Sequence, residues 1–287
     1  MFNKKQKENM HFKFISKSKK NEKRIINTLT QSAIRAVGPQ KKGRRRSNMN
    51  LMMRGILYYI RSGCTWDLLP KEFGPHQTVF GWYVRLCELK VFEELFQDLK
   101  SAFYRNAKNK IEKLCCDGCL VQHCRKNELT GKNPRNKNKS TLNNILTTNQ
   151  KGFPLDLLIC HGTAHDSIFF STSIYNSIQN LKLEKDWSVH ADKGFDSKKN
   201  RRFIRELGGI PKIPYRQLGL NKGIKNNKDS HRFVVERTFS WKNAFKNLKH
   251  LFIVKSHRIK EMTMLVMGII YLRHFVETDF RNLRIGR

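Results

Sequence analysis

The sequence predicts an α/β domain built on a mixed sheet, preceded by a small all-α module of helix-turn-helix type. Three observations predict it. Apolar residues recur at helical spacing between about Met52 and Phe103, with glycines at the stops. Two short apolar runs then flank "NQKG", which reads as a hairpin. Beyond them, helix-like and strand-like stretches alternate, the pattern of a sheet covered by helices.

Each element has its own local reason. Residues 1–49 carry fifteen Lys and Arg against two acids, Glu8 and Glu22, with few large apolar residues in periodic positions. Charge blocks such as "KKNEKR" and "KKGRRRS" therefore predict a basic, largely disordered arm with one short helix near 23–36. "MMRGILYYIRSG" puts Ile56, Leu57, Tyr59 and Ile60 on one helix face and stops at Gly63. "TWDLLPKEFG" reads as a short capped helix ending at Gly74, and "HQTVFGWYVRLCELKVFEELFQDLKSAF" as one or two amphipathic helices. Three helices with tight joints suit a helix-turn-helix module, although many small helical domains share the pattern.

The texture changes at Lys113. "KLCCDGCLVQ" is strand-like with Asp117 inside it, and "LNNILTTNQKGFPLDLLICHG" is the hairpin. "HDSIFFSTSIYNSIQNL" is helical, "WSVHADKG" is a strand, and "SKKNRRFIRELGG" is a helix capped by Ser197 and closed by two glycines. "IPKIPY" is a proline-flanked edge strand. A polar loop, "GLNKGIKNNKDS", leads to a helical region over about 229–276. The expected division is a basic arm (1–49), a helical domain (50–108), an α/β domain (109–280) and a basic tail (281–287).

Composition narrows the function classes. The 287-residue chain holds 57 Lys and Arg against 23 Asp and Glu, a formal net charge of +34. Such an excess favours a polyanionic partner, and nucleic acid is the default because each neutralised phosphate releases a counterion. A membrane is not expected as partner: "MLVMGIIYL" is far short of the roughly 20 residues that span a bilayer. The N-terminus is basic without an apolar signal core, so a cytoplasmic, nucleoid-associated protein is expected. Seven cysteines, four of them within "CCDGCLVQHC", read as reduced thiols. Cys116, Cys119, His123 and Cys124 offer an alternative zinc set, although adjacent ligands at 123 and 124 strain tetrahedral closure.

Acids are scarce from 113 to 245, so each can be weighed. Asp166 reads as a helix cap, and Asp196 and Glu206 as partners of nearby Lys and Arg. Three others stand out. Asp117 lies inside a strand, where a charge is costly unless paired or bound to metal. Asp192 closes a second strand and precedes a glycine turn. Glu236 lies on a helix between Val234, Val235 and Phe239. Carboxylates at strand ends face the usual site of open α/β sheets, and hard oxygen donors suit Mg²⁺. Ion pairs with neighbouring Lys or Arg are the competing reading for each acid taken singly.

From about Lys41 to Phe275 the chain resembles the DDE transposases of bacterial insertion sequences, in the group around insertion sequence families four and five. The resemblance rests on "GILYYIRSGCTWDLLPKEFGPHQTVFGWYVRLCELKVFEEL", "FPLDLLICHGTAHDS", "ADKGFDS" and "VVERTFSW", in that order. It implies a ribonuclease-H-like mixed sheet with flanking helices, behind a helical DNA-binding domain. It implies Asp117, Asp192 and Glu236 as catalytic metal ligands for two Mg²⁺ ions, with Mn²⁺ as a substitute. Arg232 matches the arginine of the family's Tyr-Arg-Glu-Lys signature, as a phosphate clamp or an orienter of Glu236. His165 and Lys193 match neighbouring motif positions, and with Arg237 and Lys242 they are the expected DNA contacts. The partners implied are transposon terminal inverted repeats and target DNA, with a homodimer in the synaptic complex.

The chain departs from the family pattern at three points. Gly118 stands where a small hydroxyl residue is usual, Asp229 at the signature tyrosine, and Asn243 at the signature lysine, with Lys242 adjacent. The expected activity is cleavage of transposon ends and joining of the 3′-hydroxyl to target DNA. The alternative is a catalytically inactive, transposase-derived DNA-binding protein.

Overall fold

The computed structural model describes residues 12–40, 43, 46–106, 108–125, 127–216 and 232–278. The polar loop at 219–230, Asp229 and the basic tail at 281–287 lie outside the described residues, as does the side chain of Arg232. In chain order the main elements are α1 (Lys19–Val37), α2 (Met49–Ser62), α3 (His76–Glu88), α4 (Val91–Arg105), β1 (Ile111–His123), β2 (Gly131–Asn133), β3 (Lys139–Asn149) and β4 (Pro154–His161). They continue with α5 (Asp166–Ile178), β5 (Leu183–Ala191), α6 (Lys198–Glu206), β6 (Ile210–Lys212), α7 (Arg232–Asn243), α8 (Lys246–Lys249), β7 (His250–Leu251) and α9 (Ser256–Thr278).

Packing divides the chain into two units. The first takes in the chain through Ala102, Ala244–Lys249 and the stretch from His257 onward; the second comprises Phe103–Asn243 and His250–Ser256. The expected arm groups with the helical unit, and so do residues 244–249. The C-terminal helix α9 groups with the N-terminal helices instead of closing the α/β domain. The reason is legible in α9 itself, whose buried residues run all round the helix from Ile259 to Val276. A helix apolar on every side needs helices around it, not one sheet face.

In the helical unit, the short helix expected near 23–36 in an otherwise disordered arm is a 19-residue helix, α1. Ile25, Ile26, Leu29 and Ala33 form a buried stripe at helical spacing, and Ser18 caps the N-terminus by accepting from the Asn21 N–H. The dense lysines on the other face hide that periodicity in the composition. A buried ion pair between Arg54 and Glu22, 3.2 Å, ties α2 to α1. Asn48 caps α2 by accepting from the N–H groups of Asn50 and Leu51. The stretch expected as one short helix is two 3₁₀ turns, Trp66–Leu68 and Lys71–Phe73. Pro70 between them lacks the N–H that a continuous helix would need there.

The second unit is the mixed sheet. Its strand path is β2-β3-β1-β5-β6, with β4 also on β3 and β7 on the end of β1. β1, β3 and β4 are antiparallel, whereas β5 runs parallel to β1 and β6 parallel to β5. An antiparallel meander followed by parallel strands beside its first member is the ribonuclease-H-like arrangement. The helix α5 covers one face, over a core of Leu114, Cys116, Ile145, Phe170, Ile174, Val189 and Phe195. The helix α7 packs on β1 and β3. As expected, β6 is an edge strand and Ser197 caps α6. The final helical stretch is broken into α7, α8 and α9, with a short strand pairing between the last two.

Candidate active site

The two strand aspartates are brought together by register. In the parallel pair of β1 and β5, Cys116 is opposite Ala191, the last residue of β5. Asp117 and Asp192 follow these two positions directly, on strands spaced about 4.8 Å apart. β1 continues past this point while β5 ends, so Asp192 turns away where Asp117 is still held in the sheet by its pairing to Leu146. Asp117 is buried, only 8% exposed, and its Oδ1 accepts from the N–H of Gly118 at 2.8 Å.

Strand alternation assigns faces. Leu114 and Cys116 join the core on the α5 side. Asp117 and Cys119 therefore face the opposite way. Cys119 interacts with Lys242 and Asn243 of α7, so α7 lies over the face that carries Asp117. The inner side of α7 is Val234, Val235, Thr238, Phe239 and Lys242, and Glu236 stands exposed at its flank. The helix is fastened at the β3–β4 turn: Thr238 Oγ1 donates to Gly152 O at 2.9 Å and Arg237 Nη2 to Lys151 O at 2.6 Å. Gly152, at the turn that accepts these bonds, has φ +87°, a left-handed conformation that favours glycine.

The other face holds a carboxylate that the sequence reading set aside. A Cβ on Gly118 would lie 2.4 Å from Asp166 Oδ2, so Asp166 fills the space left by the missing side chain. Asn143 Nδ2 donates to Asp166 Oδ1 at 2.5 Å. The cap of α5 is His165 rather than Asp166: its Nδ1 accepts from the Ser167 N–H at 3.3 Å. His165 and Asp166 border a cavity of about 540 Å³ with Gly118, Cys119, Asn133 and Asn143.

The expected DNA contacts fall into different settings. Lys193 is exposed, on the turn directly after Asp192. Arg237 is exposed but pinned to Lys151. Lys242 is a correction: it is 1% exposed, with its Nζ 5.8 Å from the centre of the Phe239 ring. Burial pushes its ammonium down to about 8, although Cys119 nearby acts the other way. Its position one turn beyond Thr238 and Phe239 on the inner face of α7 turns it to the sheet, which helical spacing alone had not distinguished from the surface.

A carboxylate set of this kind fits a hard divalent cation by its chemistry. The register of β1 and β5 sets the backbones of Asp117 and Asp192 one residue beyond the Cys116–Ala191 pair. Among the described residues, no group of three or more His, Cys, Asp or Glu side chains is close enough to hold a metal ion. Asp117, Asp192 and Glu236 thus do not form such a group in this arrangement, with Glu236 exposed on α7. The alternative zinc set does not form either. Cys116 and Cys119 sit three apart in an extended strand, hence on opposite faces, and burial pushes the Cys116 and Cys119 thiols up. His123 has both nitrogens engaged, Nε2 with Ile253 O at 2.8 Å and Nδ1 with Thr130 Oγ1 at 3.2 Å.

Comparison with known proteins agrees with this architecture. Residues 28–96 match a family model described as "Putative transposase of IS4/5 family", and residues 108–272 match the model "Transposase DDE domain". A protein of Burkholderia cepacia named "Putative transposase for insertion sequence element IS402" is 27% identical over 125 residues, which cover 42% of this chain and 57% of that protein. The chain thus matches little more than half the length of that relative. With the DDE domain model covering more than half of the chain behind an IS4/5 segment, the chain belongs to the DDE transposases of the IS4/5 group.

Proposed function

We propose that the protein is an insertion-sequence transposase that cleaves transposon-end DNA and joins the freed 3′-hydroxyl to target DNA. The observation that supports this reading is the pairing of Cys116 with Ala191, after which Asp117 and Asp192 follow directly on their two strands. Asp117, fixed within the sheet, and Asp192, at the root of a turn, would hold Mg²⁺ or Mn²⁺, and Glu236 would join them from α7. When bound, such ions activate the attacking oxygen and stabilise the leaving one in phosphoryl transfer.

The chain's own residues define the DNA path. Lys193 stands beside Asp192, and α6 behind it exposes Lys198, Lys199, Arg202 and Arg205. A net charge of +34 favours a long phosphate track, on transposon ends and target alike. The helical unit would grip the terminal repeats, and a homodimer would hold two ends in synapsis. No described helix is long and apolar enough to cross a membrane; DNA binding would place the protein on the nucleoid.

The test is cleavage of DNA carrying the element's terminal inverted repeats, with Mg²⁺ or Mn²⁺ present. Wild-type protein should cut and join, and Asp192→Ala should lose at least about a hundredfold in rate while still binding DNA. Binding without cutting in the wild type would instead identify a catalytically inactive DNA-binding protein. Affinity for DNA should fall steeply with salt, about tenfold or more between 50 and 200 mM; a shallow slope would argue against phosphate-dominated contact.

A further inference from the structure

We infer that Arg216 is a positioning residue for the Asp192 carboxylate, acting through the turn that follows it; the inference rests on the proposed catalytic role of Asp192. That turn, Lys193–Phe195, is a single 3₁₀ turn between a strand end and a short helix. Nothing in its own sequence makes it rigid, since Gly194 lies at its centre. Yet every backbone carbonyl in it has a donor. The Phe195 N–H donates to Asp192 O at 2.9 Å. Arg216 Nε donates to Lys193 O at 3.1 Å, and Arg216 Nη2 to Gly194 O at 2.6 Å. Asn200 Nδ2 donates to Phe195 O at 2.9 Å.

Arg216 thus clamps two successive carbonyls with one planar guanidinium, the fork geometry that lysine lacks. Its own backbone is anchored as well, its N–H donating to Asp196 Oδ2 at 2.7 Å. Asp196 Oδ1 accepts from Arg201 Nε at 2.8 Å, with both side chains nearly buried. Arg201 in turn donates through Nη2 to Ile213 O at 2.5 Å and stacks 3.8 Å from the Tyr215 ring centre. Below, Phe195 is plugged into the core against Phe170. The chain from Ile213 to Arg216 therefore straps the turn from outside while Phe195 holds it from inside.

A carboxylate that must meet a metal within a few tenths of an ångström needs this kind of support. Asp192 lies one residue beyond the end of β5, directly before the turn. The strap fixes that turn. Outer groups of this kind typically change metal affinity by about 10- to 100-fold when removed.

The experiment measures Mn²⁺ binding to the full chain by the loss of the free-ion electron paramagnetic resonance signal, together with thermal unfolding. The wild type, Asp192→Ala, Arg216→Ala, Arg216→Lys and Asp196→Asn are compared. Arg216→Ala is expected to weaken Mn²⁺ binding about tenfold with its unfolding midpoint nearly unchanged, and Arg216→Lys to recover only part of the loss. Asp196→Asn, which leaves the fork in place but loosens its anchor, should weaken binding by a smaller factor, and it carries the test if Arg216→Ala does not fold. Asp192→Ala losing Mn²⁺ while both Arg216→Ala and Asp196→Asn keep wild-type affinity would overturn the positioning role and leave the site reading standing. Mn²⁺ binding that is indifferent to Asp192→Ala would overturn both.

Discussion

Asp166 lends its carboxylate to the space above Gly118, with Oδ2 2.4 Å from where a Cβ would stand. The strand residue next to Asp117 is thereby coupled to the first turn of α5. Gly118→Ala must push Asp166 away from its 2.5 Å bond with Asn143, and overpacking of this sort costs about 1–3 kcal/mol. Asp166→Ala in the same chain should recover most of that loss. Urea unfolding of the two single variants and the double variant reads the coupling, and strictly additive effects would show that the two residues do not contend for space.

Lys242 sets a pH-dependent difference in stability. Burial lowers its ammonium from 10.5 to about 8, so the folded state releases a proton that the unfolded state keeps. The penalty is complete below pH 8, shrinks as pH rises through 8 to 10.5, and is gone above. Lys242→Met should therefore be more stable than wild type at pH 7, by on the order of 2–3 kcal/mol, with the advantage fading toward pH 10. Denaturation at pH 7 and pH 9.5 checks the sign; a gap that widens with pH would contradict it.

Glu261 has the opposite sign. It accepts from the N–H groups of Phe92 and Glu93 at 3.0 and 3.4 Å, at the start of α4, yet burial raises its carboxyl from 4.5 to about 7. The folded state then holds a proton that the unfolded state gives up between pH 4.5 and 7, and stability falls across that range. Glu261→Gln keeps an acceptor for the helix start without the charge. Its stability relative to wild type should rise by on the order of 2 kcal/mol from pH 4.5 to pH 7.5, measured by chemical denaturation.

The Arg54–Glu22 pair tests whether α1 belongs to the fold. Arg54→Met leaves Glu22, 3% exposed, without the guanidinium beside it, and should cost about 3 kcal/mol. Replacing both, as Arg54→Met with Glu22→Leu, should restore much of the loss. Amide exchange over Ile25–Ala33 should rise sharply in the single variant; unchanged protection there would mean that α1 is held by its apolar stripe alone.

Much of the sheet could be read locally. The hairpin at "NQKG", the cap at Ser197 and the proline edge strand each depend on residues within a few positions of one another. The helix α1 could be read too, near 23–36, but its full length from Lys19 and the ordering of the arm around it could not, because the stripe of Ile25, Ile26, Leu29 and Ala33 is embedded in lysine-rich sequence. Lys242 was misjudged for a related reason: a helix has several polar flanks, and which of them meets a neighbour depends on how α7 sits on β1. The sequence predicts Asp166 as a cap, since a helix start explains an acid without further cause. Its partner across space, Gly118, is 48 positions away.

The sequence by itself determined the charge, the strand and helix order, and the identity of the acids set in apolar surroundings, since these follow from side-chain type and short-range spacing. Only the tertiary structure decided that Cys116 stands opposite Ala191, and with it that Asp117 and Asp192 are neighbours. It alone also left Glu236 exposed on α7, split Cys116 from Cys119 across the sheet, and brought Arg216 over the turn after Asp192. Parallel pairing and helix docking join residues far apart in the chain, and their register is selected by burying a whole face at once, which no local window contains.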